Sequence, residues 1–384
     1  MKFLKQFGKR AVCAVLCAVM LVTVTPAASA LSDEEVKAPA AVLMEPETGR
    51  VLYEKNGHEV RECASITKVM TLLLVMEAID GGKIAMTDTV TASEHASSMG
   101  GSDIWLAPGE TMTVDEMIKA TVVASANDAA VALAELVSGT EEAFVEEMNK
   151  KAKELGMKET VFKNCNGLDE DGHVTSAYDV ALMSRALMQH EKIFDYTSIW
   201  IDYLRDGKTQ LVNTNKLLKS YKGITGLKTG TTGKAGSCIS ATAEREGLSL
   251  IAVVLGSTTG KERFNAAATL LDYGFANFAM SKPELSETLP IVAVTGGMEK
   301  EVTVKADIKG QVLVQKGKEK ELKSSIELSE SVEAPVQKGQ VLGKVIYKLG
   351  DEKVAEYPIT AEKAVDKISF SSVLWNFFCH LLSM

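Results

Sequence analysis

Ser65 and Lys68 stand three residues apart in the stretch ECASITKVMT, where an apolar helical pattern begins. A serine hydroxyl is a poor nucleophile until a base takes its proton. Residues three apart on a helix share a face, so the Lys68 amine can reach the Ser65 hydroxyl. A lysine acts as a base only when its neutral form is accessible, and burial or the positive end of a helix lowers its pKa. The N–H groups of such a helix start also suit an oxyanion. Alone, the pair is weak evidence and reads rather as the cap and first turn of an ordinary helix.

Two further stretches narrow the reading. ASANDAA places Ser125 and Asn127 between two helical patterns, where a loop can point both side chains into a cleft. GLKTGTTGKAGS places Lys228, Thr229 and Gly230 at the start of a strand pair. Lys-Thr-Gly facing a cleft offers a cation and a hydroxyl to a carboxylate, and the glycine lets a substrate backbone lie close. Each pattern occurs once, in the order Ser-x-x-Lys, Ser-x-Asn, Lys-Thr-Gly. Taken singly, they would be an interhelical loop and a turn; together, in this order, they are specific. GTTGK lacks the spacing of a phosphate loop.

The elements that must position these residues are legible in outline. AAVLMEPETGRVLYEK, starting at Ala40, reads as a hairpin around a Pro/Gly turn. Val69, Leu72, Leu73 and Met76 recur at helical spacing and the glycines at 81 and 82 stop that helix. Thr113 is an N-cap, Gly139 a stop, 141–156 a helix, and TSAYDVALMSRALMQH another, capped at Thr175 or Ser176. GSCISATAEREGLSLIAVVLGST reads as two strands turning at Glu246 and Gly247, followed by a helix from Lys261 to Met280. Strands at both ends with helices between can build one antiparallel sheet with helices packed on it. From 287 to 366 short strands broken by Gly, Asp and Pro form a small all-β domain.

Composition bounds the rest. The 384 residues allow two domains, and the net charge is -9. The first thirty residues hold four cations and no acid, then an apolar run and ASA at 28–30, the pattern of a cleavable signal peptide over 1–30. Without them the charge is -13, a field that repels nucleic acid. Neither Cys13 nor Cys17 has a lipoprotein-type context. The cysteines at 63, 165, 238 and 379 make no disulfide framework, and the scattered histidines suggest no metal. No cofactor is expected. The tail 367–384, with Phe370, Leu374, Trp375, Phe377 and Phe378, is too short and too interrupted to span a bilayer and reads as an interfacial amphipathic helix.

With these motifs in place, the chain resembles the low-molecular-mass penicillin-binding proteins, the serine D-alanyl-D-alanine carboxypeptidases of bacterial envelopes. ASITKVMT, SANDAAVALAE, NGLDEDGHVTSAYDVALMSRAL, NTNKLL, GLKTGTTGKAGSCISA and, in the β region, GQVLGKVIYKLGD carry the resemblance across nearly the whole chain. It implies an α/β catalytic domain over 31–282, a penicillin-binding, serine β-lactamase-like sandwich of an antiparallel sheet with helices, ahead of the all-β domain. It implies Ser65 as acylated nucleophile, Lys68 as its base, and Ser125 as a proton relay. Asn127 would orient the substrate amide, Lys228 and Thr229 would hold its carboxylate, and the N–H groups of Ser65 and Thr231 would form the oxyanion hole beside Gly230. The implied partners are peptidoglycan stem peptides, β-lactams as covalent inhibitors, and the outer face of the cytoplasmic membrane. Two departures stand out: Cys63 where the family often has proline, and Thr231 where relatives often have His or Tyr. The rivals are a serine β-lactamase, for which no Glu-x-x-Leu-Asn loop lies between Asn127 and Lys228, an endopeptidase acting on crosslinks, and a non-catalytic stem-peptide binder, which would normally lack Ser65 or Lys68.

Overall fold

The computed structural model describes residues 31–285, 287–371 and 375. The expected signal peptide (1–30) and most of the expected anchor helix lie outside the described residues. Strands β1 (Ala40–Met44) and β2 (Val51–Lys55) form the expected hairpin. After short paired strands β3 (Thr89–Thr91) and β4 (Thr111–Thr113), a hairpin of β5 (Ile201–Leu204) and β6 (Thr209–Val212) follows. Then come β7 (Ile224–Thr232), β8 (Gly236–Arg245) and β9 (Leu248–Ser257). The two ends of the region 40–257 meet in one antiparallel sheet of order β2-β1-β9-β8-β7, which leaves β7 as an edge.

Every residue of β1 is buried because helices cover both faces of the sheet. Val42, Met44, Ile251 and Val253 face the main helical core. Leu43 and Leu250 face the other way, onto the Gly260–Asn277 helix, where a side chain at Gly274 would collide with both. The Lys68–Asp80 helix runs through the helical core and is buried almost all round, so it shows no polar stripe. It packs on the helices Ala177–Leu187, Asn127–Ser138 and Glu141–Glu154. Thr113 caps Val114–Lys119 with a full capping box, Ser176 caps Ala177–Leu187, and Gly139 ends its helix at φ +88°, as the sequence indicates.

The last helix of the catalytic region ends earlier than the sequence suggests. Phe278–Ser281 is a strand, β10, and pairs with β14 (Val312–Gln315). Beyond it β11 (Val292–Thr295), β12 (Glu301–Val302) and β16 (Ser331–Glu333) form one small sheet. β13 (Val304–Ala306), β15 (Leu322–Leu328), β17 (Val341–Leu349) and β18 (Glu352–Ala361) form another. Val292, Val302, Leu342 and Ala361 close a core between the two sheets, which is the expected all-β domain.

Candidate active site

The residues around Ser65 form a tight turn, Ala64–Thr67, that runs directly into the Lys68–Asp80 helix. Ala64 sits at φ +52°, a left-handed conformation unusual for a residue with a Cβ. Two glycines clamp this turn. A Cβ on Gly230 would lie 2.6 Å from the Cys63 carbonyl oxygen and 3.0 Å from the Ser65 nitrogen. A Cβ on Gly167 would lie 2.0 Å from the Ala64 carbonyl oxygen. Sequence reasoning gave Gly230 a role in admitting a substrate backbone; the close approach it makes here is to the chain's own turn. Beneath the turn, His173 Nδ1 accepts from the Lys163 N–H (3.1 Å), so its Nε2 carries the proton and donates to Thr67 Oγ1 at 2.7 Å. Burial drives the His173 imidazole down to about 4 and keeps it neutral.

Lys68 is wholly buried. Its Nζ donates to Ser65 Oγ at 3.1 Å, to Asn127 Oδ1 at 2.5 Å and to the Asn166 carbonyl at 2.7 Å. All three acceptors are neutral. Desolvation therefore dominates and lowers the ammonium from 10.5 to about 7, against weaker upward pulls from Cys165, Asp103 and Asp128.

Asn127 opens its helix, with its N–H on the Ser102 carbonyl (2.6 Å) and its amide nitrogen on the Gly100 carbonyl (2.6 Å). Asp128, also buried, accepts from the N–H groups of Ile104 (3.1 Å) and Leu106 (3.0 Å). The residues preceding Asn127 are not a plain loop. Ala120–Ala124 form one wide π turn, and Ser125 follows at φ +62°. That bulge and reversal point Ser125 inward, where its Oγ accepts from Lys228 Nζ at 2.8 Å. Such bulges recur at functional sites because they aim one side chain off the helical path.

Lys228 is also buried, and donates besides to the Thr229 carbonyl at 3.1 Å. Desolvation, then the nearby cations Lys68 and Arg263, hold its ammonium well below the ordinary range. Thr229 Oγ1 donates to Thr214 Oγ1 at 2.6 Å. Thr231 is exposed at the strand's end. Its hydroxyl accepts from Arg263 at 2.8 Å, and the same guanidinium nitrogen donates to the Gly230 carbonyl (2.8 Å) and the Cys238 carbonyl (3.2 Å).

All eight candidate residues thus gather on three facing segments: the Ser65 turn with the first residue of the helix after it, the 125–127 segment and the edge strand β7. Sequence reasoning missed Asn166, Gly167, Asp128, Thr214 and Arg263. NTNKLL contained a signal for Thr214: Asn213 bonds the Ile199 carbonyl and Asn215 the Gly226 carbonyl, which fixes the threonine between them beside β7. Arg263 carries no local signal. The thiols among the described residues are buried: burial pushes Cys63 up to about 12 and Cys238 up to about 11. A cavity of about 830 Å³ lined by Glu45, Arg185, Phe194 and Glu244 contains none of the site residues.

A half-buried serine bonded to a buried lysine beside an antiparallel edge strand, with helices on both faces of the sheet, defines a serine enzyme of the penicillin-interacting class. Residues 26–259 match the D-alanyl-D-alanine carboxypeptidase family, and residues 286–367 match the penicillin-binding protein 5 C-terminal domain. The chain belongs to the D-alanyl-D-alanine carboxypeptidase family. It is 45% identical over 377 residues to the D-alanyl-D-alanine carboxypeptidase DacF of Bacillus subtilis, covering 95% of this chain and 97% of that one. It is 35% identical to DacC of Escherichia coli, over 90% of each chain. The crystal structure of penicillin-binding protein 5 from Haemophilus influenzae superposes with a TM-score of 0.77 at 32% identity, covering 88% of this chain and all of that one. Penicillin-binding protein D2 of Listeria monocytogenes in its ampicillin-bound form aligns with 64% of this chain, and with all of its own, at TM-score 0.58 and 34% identity.

Proposed function

We infer that Ser65 is the acylated nucleophile of a D-alanyl-D-alanine carboxypeptidase and that Lys68 is its base. The observation that carries the reading is the Lys68 amine: fully buried, 3.1 Å from Ser65 Oγ, and ringed by neutral acceptors. The substrate is the end of a peptidoglycan stem peptide. Its terminal carboxylate lies against Lys228 and Thr229, and an anion there restores the proton that burial removes from Lys228. Its backbone lies along the free edge of β7. Ser65 Oγ attacks the carbonyl of the penultimate D-Ala while Lys68 Nζ takes the hydroxyl proton. The amides of Ser65 and Thr231 hold the oxyanion, and the fit of Gly230 against the Ser65 amide supports their neighbourhood. The C–N bond then breaks as the proton that Lys68 took from Ser65 passes through the Ser125 hydroxyl to the leaving D-Ala amine, which leaves Lys68 neutral again while Lys228 keeps its proton and holds Ser125 in place. A water attacks the ester and gives its proton to the neutral Lys68 amine, which returns it to Ser65 Oγ as the ester C–O bond breaks and the shortened peptide leaves. A β-lactam acylates the same hydroxyl and stays attached.

In this reading 1–30 direct export, 31–282 carry the catalysis and 287–366 the all-β domain. Residues 367–384 hold the enzyme peripherally at the outer face of the cytoplasmic membrane. The test is mass spectrometry of the mature protein incubated with benzylpenicillin and with a D-Ala-D-Ala peptide. A stable penicilloyl adduct on Ser65, peptide turnover, and loss of both in Ser65→Ala are expected. Rapid hydrolysis of the penicilloyl group would instead make the protein a β-lactamase, and an adduct on the variant would displace Ser65.

A further inference from the structure

Trp105 stands with 81% of its surface exposed, between Ile104 and Leu106, which are 1% and 4% exposed. Its φ is +55°, a left-handed conformation that bulky residues rarely adopt. The backbone on either side is held from two directions. Asp128 accepts the N–H groups of Ile104 and Leu106 at 3.1 and 3.0 Å. Arg205, paired with Glu110 at 2.7 Å, donates to the Ile104 carbonyl at 2.8 Å and to the Trp105 carbonyl at 3.5 Å. The same loop carries the Gly100 and Ser102 carbonyls that hold Asn127. A left-handed backbone held this way, turning an indole out to solvent on the loop that holds Asn127, has the form of a positioning device rather than of packing.

We propose that the Trp105 indole is a specificity plate for the substrate residue immediately upstream of D-Ala-D-Ala, covering that residue's aliphatic side chain. The proposal rests on the carboxypeptidase reading. With the carboxylate at Lys228 and Thr229 and the scissile carbonyl at Ser65, the upstream chain leaves extended along β7. Its side chains alternate, at roughly 3.3 Å per residue. The wall facing β7 is the 125–127 segment with the 99–106 loop locked to it. The plate bears no charge of its own, so the complement it offers is apolar surface, and a long aliphatic stem fits better than a compact polar residue.

The test compares kcat/KM for Nα,Nε-diacetyl-L-Lys-D-Ala-D-Ala and acetyl-Gly-D-Ala-D-Ala. The full mature enzyme should prefer the lysyl peptide by roughly tenfold or more, the scale at which an apolar pocket discriminates. Trp105→Ala should bring that ratio close to one, through loss on the lysyl peptide, and Trp105→Phe should keep most of it. A parallel loss on both peptides would mark a structural role and overturn the proposal, as would an unchanged ratio. So would a variant that keeps the ratio but loses activity on a disaccharide-pentapeptide, because the indole would then serve the glycan. If the wild-type enzyme cleaves neither peptide, the carboxypeptidase reading fails, and the plate has no substrate to select.

Discussion

Lys68 gives the sharpest prediction, because its work and its cost have one origin. Its ammonium falls from 10.5 to about 7 on burial. A displacement of that size corresponds to about 5 kcal/mol disfavouring the charged form. If the neutral amine is the base, acylation under kcat/KM conditions should rise with pH and level off, with its midpoint near 7. About a tenth of the enzyme is competent one pH unit below the midpoint and about nine tenths one unit above, so the rate at pH 8 should exceed that at pH 6 by roughly tenfold. Stopped-flow acylation by a chromogenic cephalosporin measures this directly. Lys68→Arg should be almost as inactive as Lys68→Ala at every pH, since arginine keeps its proton. Stability carries the same signature. Between pH 7 and 10.5 the unfolded lysine binds a proton that the folded one has released, so stability rises with pH across that window. Below pH 7 the penalty is fully present. Lys68→Met should therefore gain stability relative to wild type below pH 7, and the gain should shrink by pH 10. A rising limb near pH 10, no limb at all, or an active Lys68→Arg enzyme would refute the assignment of Lys68 as base.

Three further outcomes follow from the same geometry. Gly230→Ala drives a methyl against the Cys63 carbonyl and the Ser65 amide and must shift the nucleophile turn; a displacement near 1 Å costs about a hundredfold in acylation, and an unchanged acylation rate would show that the turn yields freely. Lys228→Ala and Thr229→Val should each lower the preference for a D-Ala-D-Ala acid over its amide by on the order of tenfold or more, measured as a kcat/KM ratio, and an unchanged ratio would place the carboxylate elsewhere. Deleting 367–384 should free the mature protein from membranes in flotation assays while leaving turnover of soluble peptides intact; Phe370 and Trp375 are 84% and 70% exposed, and Lys367 is the lone Lys or Arg in the segment, so high salt should not release the full-length chain.

The sequence by itself determined the order and spacing of the three motifs, the hairpin at the N-terminal end of the sheet, the cap at Thr113 and one at Thr175 or Ser176, and the all-β character beyond residue 287. These are local: a period, a cap or a turn residue acts within a few positions of itself. What makes the site chemical was decided by tertiary structure. The Lys68 ammonium is lowered because the chain buries it and Asn127 and Asn166, 59 and 98 residues away, enclose it without offering a negative charge. Ser125 faces Lys228 because a π turn ends in a left-handed residue, which no helical period announces. Gly230 is required by its close approach to the Ser65 turn, and Arg263, 33 residues further on, secures the strand that carries it. Burial, desolvation and contact belong to the packed chain, because they depend on which distant segments exclude water together.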